Sequence, residues 1–174
     1  MRIYEGSPRQ DFEEVFRSIG AILDQRAMRE VLLAEVPDGF IVQGLVTSAD
    51  AGSWSESFGA QSKETLNFLD DDIARFMDEA MARRNRGAEE RANAGHYEQA
   101  FRVLGRYMDQ QKPRDTFLFE QDGAFVVRLL MPTPQGTKHV LSEFTREDID
   151  SMVVQGPALR DRASGPDAAA RTGA

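Results

Sequence analysis

The two histidines, His96 and His139, are the residues best suited to general acid–base chemistry in this sequence, because imidazole titrates near neutral pH. A catalytic base also needs a nucleophile within hydrogen-bond reach. Ser142 follows His139 by three residues in a predicted strand, where side-chain alternation places the two on opposite faces. The sequence contains no Gly-x-Ser-x-Gly, Ser-x-x-Lys or His-x-x-x-His motif and no glycine-rich phosphate loop. We therefore predict no catalytic residue, and a non-catalytic protein is favoured over an enzyme.

Carboxylates are clustered at one point, where Asp70, Asp71 and Asp72 follow Glu64. Three consecutive carboxylates cannot all face one cation, and the alternating ligands and central glycine of an EF-hand loop are absent. Their position at the start of a predicted helix is explained by favourable interaction with the helix dipole. The sequence has no cysteine, which excludes thiol ligands and disulfides. We predict no metal site and no cofactor.

The composition predicts a soluble globular protein that does not bind nucleic acid. The 174 residues are 41% hydrophobic and carry a net charge of −8, which disfavours a polyanion as partner. One basic cluster, Arg83 to Arg86 with Arg91, lies at the end of the helix that begins with the aspartates, where cations are ordinary. No apolar run suggests an export signal or a membrane span, so we expect a cytoplasmic location and no membrane partner.

The most function-like segment is an insertion at residues 48–63, which is rich in serine and glycine and contains Trp54 and Phe58. Aromatic residues on a loop are typical of an interaction surface. The alternative is that both rings fold back and cover one face of the sheet, because large aromatic side chains are seldom left in water without a partner. We take Trp54, Phe58, Arg29, Arg114 and His139 as candidate binding residues.

An internal repeat organises the chain. Residues 11–36 align with residues 96–121 at an offset of 85, and residues 38–46 align with 122–130 once Pro37 is skipped. Thirteen of these 35 pairs are identical, nine in the first block and four in the second. Identical pairs include the following: Glu13/Glu98, Phe16/Phe101, Arg17/Arg102, Gly20/Gly105, Asp24/Asp109, Arg29/Arg114, Leu33/Leu118 and Glu35/Glu120. The repeat predicts two copies of one structural unit.

Each copy has the pattern of an α-β-β-β-α unit. Apolar residues at helical spacing open each copy, beginning at Phe12 and Tyr97, and Asp11 is a plausible helix cap. The Asp-Gly dipeptides at 38–39 and 122–123 indicate hairpins. The predicted strands are 31–36, 40–47 and 65–68 in the first copy and 116–121, 125–131 and 138–144 in the second. Helices starting near Asp70 and Thr145 end the two copies.

Several contacts can be predicted from these patterns. Gly20 and Gly105 lie inside helices, where glycine costs about 1 kcal/mol, and we expect a close approach of each helix to a sheet. Glu13 and Arg17 are spaced i,i+4, as are their equivalents in the second copy, and we expect ion pairs within each helix. Strands that are apolar on both faces predict a sheet covered on both sides.

We predict an α+β fold: tandem α-β-β-β-α units related by a pseudo-two-fold axis, with helices packed on antiparallel sheets. Residues 1–86 form the first unit, 87–95 a linker, 96–160 the second unit and 161–174 a disordered tail. The two units share one core as a single globular domain, and their sheets pack against each other or join through the faces left uncovered. A duplicated unit imitates a homodimer, so we expect a monomer with internal two-fold symmetry, or a homodimer.

The element order, small size and acidity resemble bacterial secretion-chaperone-type folds, in which a helix, a hairpin and a further helix present an apolar sheet surface to a partner chain. The resemblance lies in element order and carries over no residues. We expect a non-catalytic binding, adaptor or chaperone-like module. Its partner is another protein, which contacts the insertion and the junction between the repeats. The alternative is a small-ligand sensor or enzyme with a site in the cleft between the repeats, using His139 or the carboxylates.

Overall fold

The computed structural model describes residues 12–47, 61–69, 72, 73, 75, 78 and 95–163. In this part of the chain the fold is α+β, with three helices and one six-stranded antiparallel sheet. The elements in chain order are α1 (Phe12–Gln25), β1 (Arg29–Val36), β2 (Gly39–Thr47), β3 (Gln61–Leu69), α2 (His96–Gln111), β4 (Asp115–Gln121), β5 (Ala124–Thr133), β6 (Gly136–Phe144) and α3 (Arg146–Ala163). Asp72, Ile73, Arg75 and Asp78 are also helical, where the second helix of the first unit is predicted.

The two halves of the chain join edge to edge in a single sheet of order β3-β2-β1-β4-β5-β6. In the antiparallel β1–β4 pair, Leu33 lies opposite Leu118, its own equivalent at the offset of 85. Leu32 lies opposite Phe119 and Ala34 opposite Phe117, so the register is symmetric about that central pair. The expectation of two sheets meeting through their faces was wrong. Edge pairing satisfies the backbone N–H and C=O groups that β1 and β4 would otherwise leave unpaired.

Both inner hairpins have two-residue loops, which removes the alignment gap at Pro37. Val36 pairs with Gly39, so Pro37 and Asp38 form the first loop, whereas the Asp-Gly dipeptide had predicted residues 38 and 39. Gln121 pairs with Ala124, and the second loop is Asp122-Gly123 as predicted. With no gap, Phe40 and Val42 correspond to Phe125 and Val127, and all four side chains are fully buried. Burial of these residues, rather than the turn dipeptide, sets the register.

Helices α1 and α2 run antiparallel on one face of the sheet, and an aspartate near the end of each helix caps the start of the other. The carboxylate of Asp24 accepts hydrogen bonds from two backbone N–H groups of α2, and that of Asp109 accepts two from α1. The bonds are Tyr97 N–H to Asp24 Oδ1 (3.0 Å), Glu98 N–H to Asp24 Oδ2 (2.8 Å), Phe12 N–H to Asp109 Oδ1 (2.8 Å) and Glu13 N–H to Asp109 Oδ2 (3.0 Å). The predicted cap Asp11 lies outside the described residues. Each carboxylate satisfies N–H groups that a helix start cannot pair internally.

The repeated glycines lie at the contact between the two helices. A Cβ on Gly20 would come closer than 3.0 Å to the backbone of Tyr97, and one on Gly105 closer than 3.0 Å to the backbone of Phe12. The expected close approach of helix and sheet was therefore wrong, because the close approach joins one helix to the other. Glycine is needed here because a side chain would hold the two backbones apart.

The repeated ion pairs also cross between helices. Arg17 Nε lies 2.9 Å from Glu98 Oε1, and Arg102 Nε lies 3.2 Å from Glu13 Oε1. The expected pairs within each helix were wrong. In an antiparallel pair related by a two-fold axis, residues four apart on one helix face the corresponding residues of the other, so the same spacing serves both arrangements.

The buried residues of both halves form one hydrophobic cluster between the two helices and the sheet. Its centre is aromatic: Phe16 contacts Phe40 and Phe101, and Phe101 contacts Phe125, with ring centroids 5.4, 5.9 and 6.0 Å apart. Phe16, Phe40, Phe101 and Phe125 are each 0% exposed. Helix α3 adds Ile149, which is 2% exposed, and continues to Ala163, inside the range predicted as tail.

We predict that Gly105→Ala destabilises the protein by about 1–3 kcal/mol, although alanine is the better helix former by about 1 kcal/mol. The added methyl group would collide with the Phe12 carbonyl of α1, and a backbone atom cannot move aside as a flexible side chain can. Thermal unfolding followed by circular dichroism measures the change. Gln110→Ala, at an exposed position of α2, is the matched control and should leave the free energy of unfolding within about 0.5 kcal/mol of the native value. A melting temperature raised by Gly105→Ala would contradict the contact.

Candidate functional site

The face of the sheet opposite α1 and α2 is apolar, and its side chains are partly exposed among the described residues. Side chains alternate along each strand, so the neighbours of the buried core residues point to this side. Its apolar residues on the four central strands, which we call the open face, are Leu32, Ala34, Val36, Ile41, Leu45, Phe117, Phe119, Val126 and Leu130. All of them are partly exposed and none is fully buried, in contrast to their neighbours on the helix side. The expectation of a sheet covered on both sides stays a prediction, since residues 48–60 lie outside the described part of the chain.

The open face has an aromatic centre at the junction of the two halves. Phe117 and Phe119 on β4 lie opposite Ala34 and Leu32 on β1, and their ring centroids are 6.0 Å apart. Arg128 extends over Phe117, with Cζ 5.2 Å from the ring centroid. A cation placed over an aromatic face is stabilised by the ring quadrupole and leaves the ring edge accessible.

The outer strands give the open face a polar rim. On β3 the residues of this side are Lys63, Thr65 and Asn67, all exposed. On β6 they include His139 and Glu143, with Leu141 between them at 70% exposure. An apolar centre with a polar rim is the arrangement found in protein–protein interfaces.

His139 and Ser142 lie on opposite faces of the sheet. It lies opposite Leu130 on the open-face side, whereas the Ser142 hydroxyl is 3.0 Å from the Tyr107 hydroxyl on the helix side. The predicted placement of His139 and Ser142 on opposite faces is confirmed. Arg114 is exposed, and its backbone N–H donates to the Leu130 carbonyl at 2.7 Å. Trp54 and Phe58, the two aromatic candidates of the insertion, lie outside the described residues.

Arg29, one of the five candidate binding residues, lines a cleft. This cleft, of about 410 Å³, lies between the two halves at one end of β1 and β4, and we call it the Tyr97 cleft. Its lining residues are Met28, Arg29, Glu30, His96, Tyr97, Glu120, Asp122, Gly123 and Arg146. Arg29 and His96 come from the two halves of the chain, which the alignment had treated as separate units.

A buried hydrogen-bonded pair forms the floor of the Tyr97 cleft. The Tyr97 hydroxyl donates to Glu120 Oε2 at 2.5 Å, and the Val31 N–H donates to the same oxygen at 3.3 Å. Burial, reinforced by the bond to the Glu120 carboxylate, raises the pKa of the Tyr97 phenol well above its usual range. The phenol is therefore a permanent proton donor to Glu120.

The equivalent position in the first half lacks this pair. Phe12 stands where the second half has Tyr97, so Glu35, the equivalent of Glu120, has no phenol to bind. Glu35 Oε2 is buried and has no hydrogen-bond partner among the described residues. Burial, followed by repulsion from Asp115, raises the pKa of Glu35 to about 8.

Sequence reasoning singled out Glu35 and Glu120 as a repeated pair but not the residues around Glu120. The sequence does contain one indication of this pair. Phe12 and Tyr97 differ by a hydroxyl group within otherwise similar helices, and that hydroxyl needs a hydrogen-bond partner in the second half alone. Burial of a carboxylate and a phenol against each other cannot be inferred from spacing.

The described residues contain no group of three or more histidines, aspartates or glutamates that could hold a metal ion. Asp72 pairs with Arg75 at 2.9 Å, while Asp70, Asp71 and the basic cluster at 83–86 lie outside the described part of the chain. Among the described helices, none combines the length and the apolar character needed to cross a membrane.

Comparison with protein-family models, with curated proteins and with solved structures gave no match.

We predict that Glu35 makes stability fall as pH rises from about 4.5 to 8. Its pKa is higher in the folded protein than the 4.5 of the unfolded chain, so in this window the folded state binds more protons than the unfolded state. Denaturant unfolding at pH 5, 6, 7 and 8 measures the slope, and Glu35→Gln should flatten it. Phe12→Tyr is a second variant: the phenol should bind Glu35 as Tyr97 binds Glu120, which lowers the pKa of Glu35 and reduces the slope. A carboxyl resonance of Glu35 titrating near 4.5 in the native protein would contradict the argument.

Proposed function

We propose that this protein is a non-catalytic, chaperone-like binding module that holds an apolar segment of another protein on its open face. The observation that supports the proposal is the apolar centre of that face, which spans the junction between the two halves of the chain. Leaving such a surface in contact with water costs about 25 cal/mol per Å² of apolar area. An apolar partner segment would remove that cost.

The shape and chemistry of the open face favour a protein partner over a small ligand. The face is broad and crosses the four central strands of the sheet, whereas small-molecule sites are enclosed clefts. Phe117 and Phe119 at its centre are rigid aromatic groups of the kind that contribute most to binding at interfaces. The rim residues Lys63 and Glu143, with Arg128 beside Phe117, are exposed charged groups that can select the partner and its orientation.

The internal symmetry supports the same proposal. We infer that the chain is a tandem of α-β-β-β-α units. Pairing of the equivalent strands β1 and β4 then creates a continuous surface twice as wide as one unit provides. The identical residues that join the helices lie on the helix side, so they do not occupy the open face. We propose that the partner contacts the open face at this junction of β1 and β4.

A pair of substitutions tests the proposal. Phe119→Ser combined with Leu141→Glu removes the aromatic centre and places a charge on the rim, and we expect at least a tenfold loss of affinity for the partner. Both residues are already partly or largely exposed, so the fold should be retained. Val154→Glu is the matched control, since Val154 is an exposed apolar residue on α3, at 75% exposure.

The measurement is affinity capture with the native protein, the Phe119/Leu141 variant and the Val154 variant. The partner segment identified in this way is then titrated against each purified protein. Binding that is lost in the Phe119/Leu141 variant and kept in the Val154 variant supports the open face. Equal binding by all three forms, with the variants correctly folded, would show that the partner contacts another surface.

A further inference from the structure

Three departures from the internal symmetry converge on the Tyr97 cleft. The first is Tyr97 itself, whose equivalent Phe12 cannot bond a carboxylate. The contacts that hold the halves together are matched closely between the copies, as the four helix-capping bonds of 2.8–3.0 Å show. A difference in a buried polar pair is therefore a departure from a pattern that packing otherwise preserves.

The second departure is a bulge at the start of β1. The register shifts between Arg29 and Leu32, and Glu30 adopts a left-handed backbone with φ of 50°. The equivalent strand β4 is regular, with Asp115 paired to Leu130 in the same register as the rest of the strand and no positive φ. Glutamate in this conformation is unfavourable, and such strain is retained mainly where it directs a side chain to a functional position.

The third departure is the second loop of the sheet. Asp122 and Gly123 form the β4–β5 turn, with φ values of 51° and 78°, and both line the cleft. The equivalent loop of the first half is Pro37-Asp38, which replaces the glycine by aspartate. Gly123 leaves open space in front of the turn, since a Cβ built there meets no atom within 4 Å.

The charges of the cleft come in both signs. Arg29 and Arg146 supply guanidinium groups, and Glu30 and Asp122 supply carboxylates, all on exposed side chains around the buried Tyr97. A ligand carrying a single sign of charge would meet repulsion from one of these sets. A ligand with an ammonium and a carboxylate can pair with both, and guanidinium groups bind carboxylates in a bidentate manner.

We propose that the Tyr97 cleft binds a small zwitterion of the amino-acid class. Its carboxylate pairs with Arg29 and Arg146, its ammonium pairs with Glu30 and Asp122, and its side chain rests on Met28 and the Tyr97 ring. The volume of about 410 Å³ is within the range of small-molecule sites. This site is distinct from the open face and does not depend on the proposed binding of a protein partner.

The test uses free L-amino acids as probes on the full-length protein. Saturation-transfer NMR identifies which of the twenty binds, and calorimetry measures its affinity. The N-acetyl derivative lacks the ammonium and the carboxamide derivative lacks the carboxylate, and we expect each to bind at least tenfold more weakly than the free amino acid. Retention of full affinity by either derivative would overturn the zwitterion assignment.

The internal symmetry provides a matched control. Arg29→Gln should weaken binding at least tenfold, whereas Arg114→Gln, the same change at the equivalent exposed position of the second half, should leave it unchanged. Neither side chain is buried, so both variants should fold, which circular dichroism verifies. Absence of saturable binding by every amino acid at millimolar concentration, or equal loss in both variants, would refute the site.

Discussion

Asp24 and Asp109 hold the antiparallel approach of α1 and α2, and the six-stranded sheet depends on that approach. Each carboxylate accepts two backbone N–H groups from the opposite helix, so neither helix start is satisfied without the other half of the chain. Gly20 and Gly105 allow the backbones to come close enough for those bonds. The same contact thus fixes the position of both helices, caps their starts and places the aromatic core between the helices and one face of the sheet.

Much of the local structure could be predicted from the sequence. The helix beginning at Phe12, the one beginning near Tyr97 and the inner strands all follow from apolar spacing, because periodicity reports which side of an element is buried. The third strands were predicted too short, at 65–68 and 138–144, where the structure has Gln61–Leu69 and Gly136–Phe144. Their exposed polar ends carry little periodic signal.

The contacts between the halves could not be predicted in the same way. The identity of Glu13 with Glu98 and of Arg17 with Arg102 showed that the positions matter, but i,i+4 spacing does not distinguish a pair within one helix from a pair across a two-fold axis. The apolar character of Phe117 and Phe119 likewise indicates a surface that avoids water, without indicating whether the chain itself covers it. The Tyr97 cleft could not be predicted because its residues come from four separate places in the chain.

The symmetric β1–β4 register also shapes how the protein folds and assembles. The meanders β1-β2-β3 and β4-β5-β6 pair residues close in sequence, whereas the helix caps join residues 73 to 97 positions apart. Contacts of such separation form late, because the chain must first lose the entropy of a long loop. Every contact that joins the two halves of one chain can equally join halves of two chains, so concentrated protein can refold as a domain-swapped dimer with the same helix pair and the same continuous sheet.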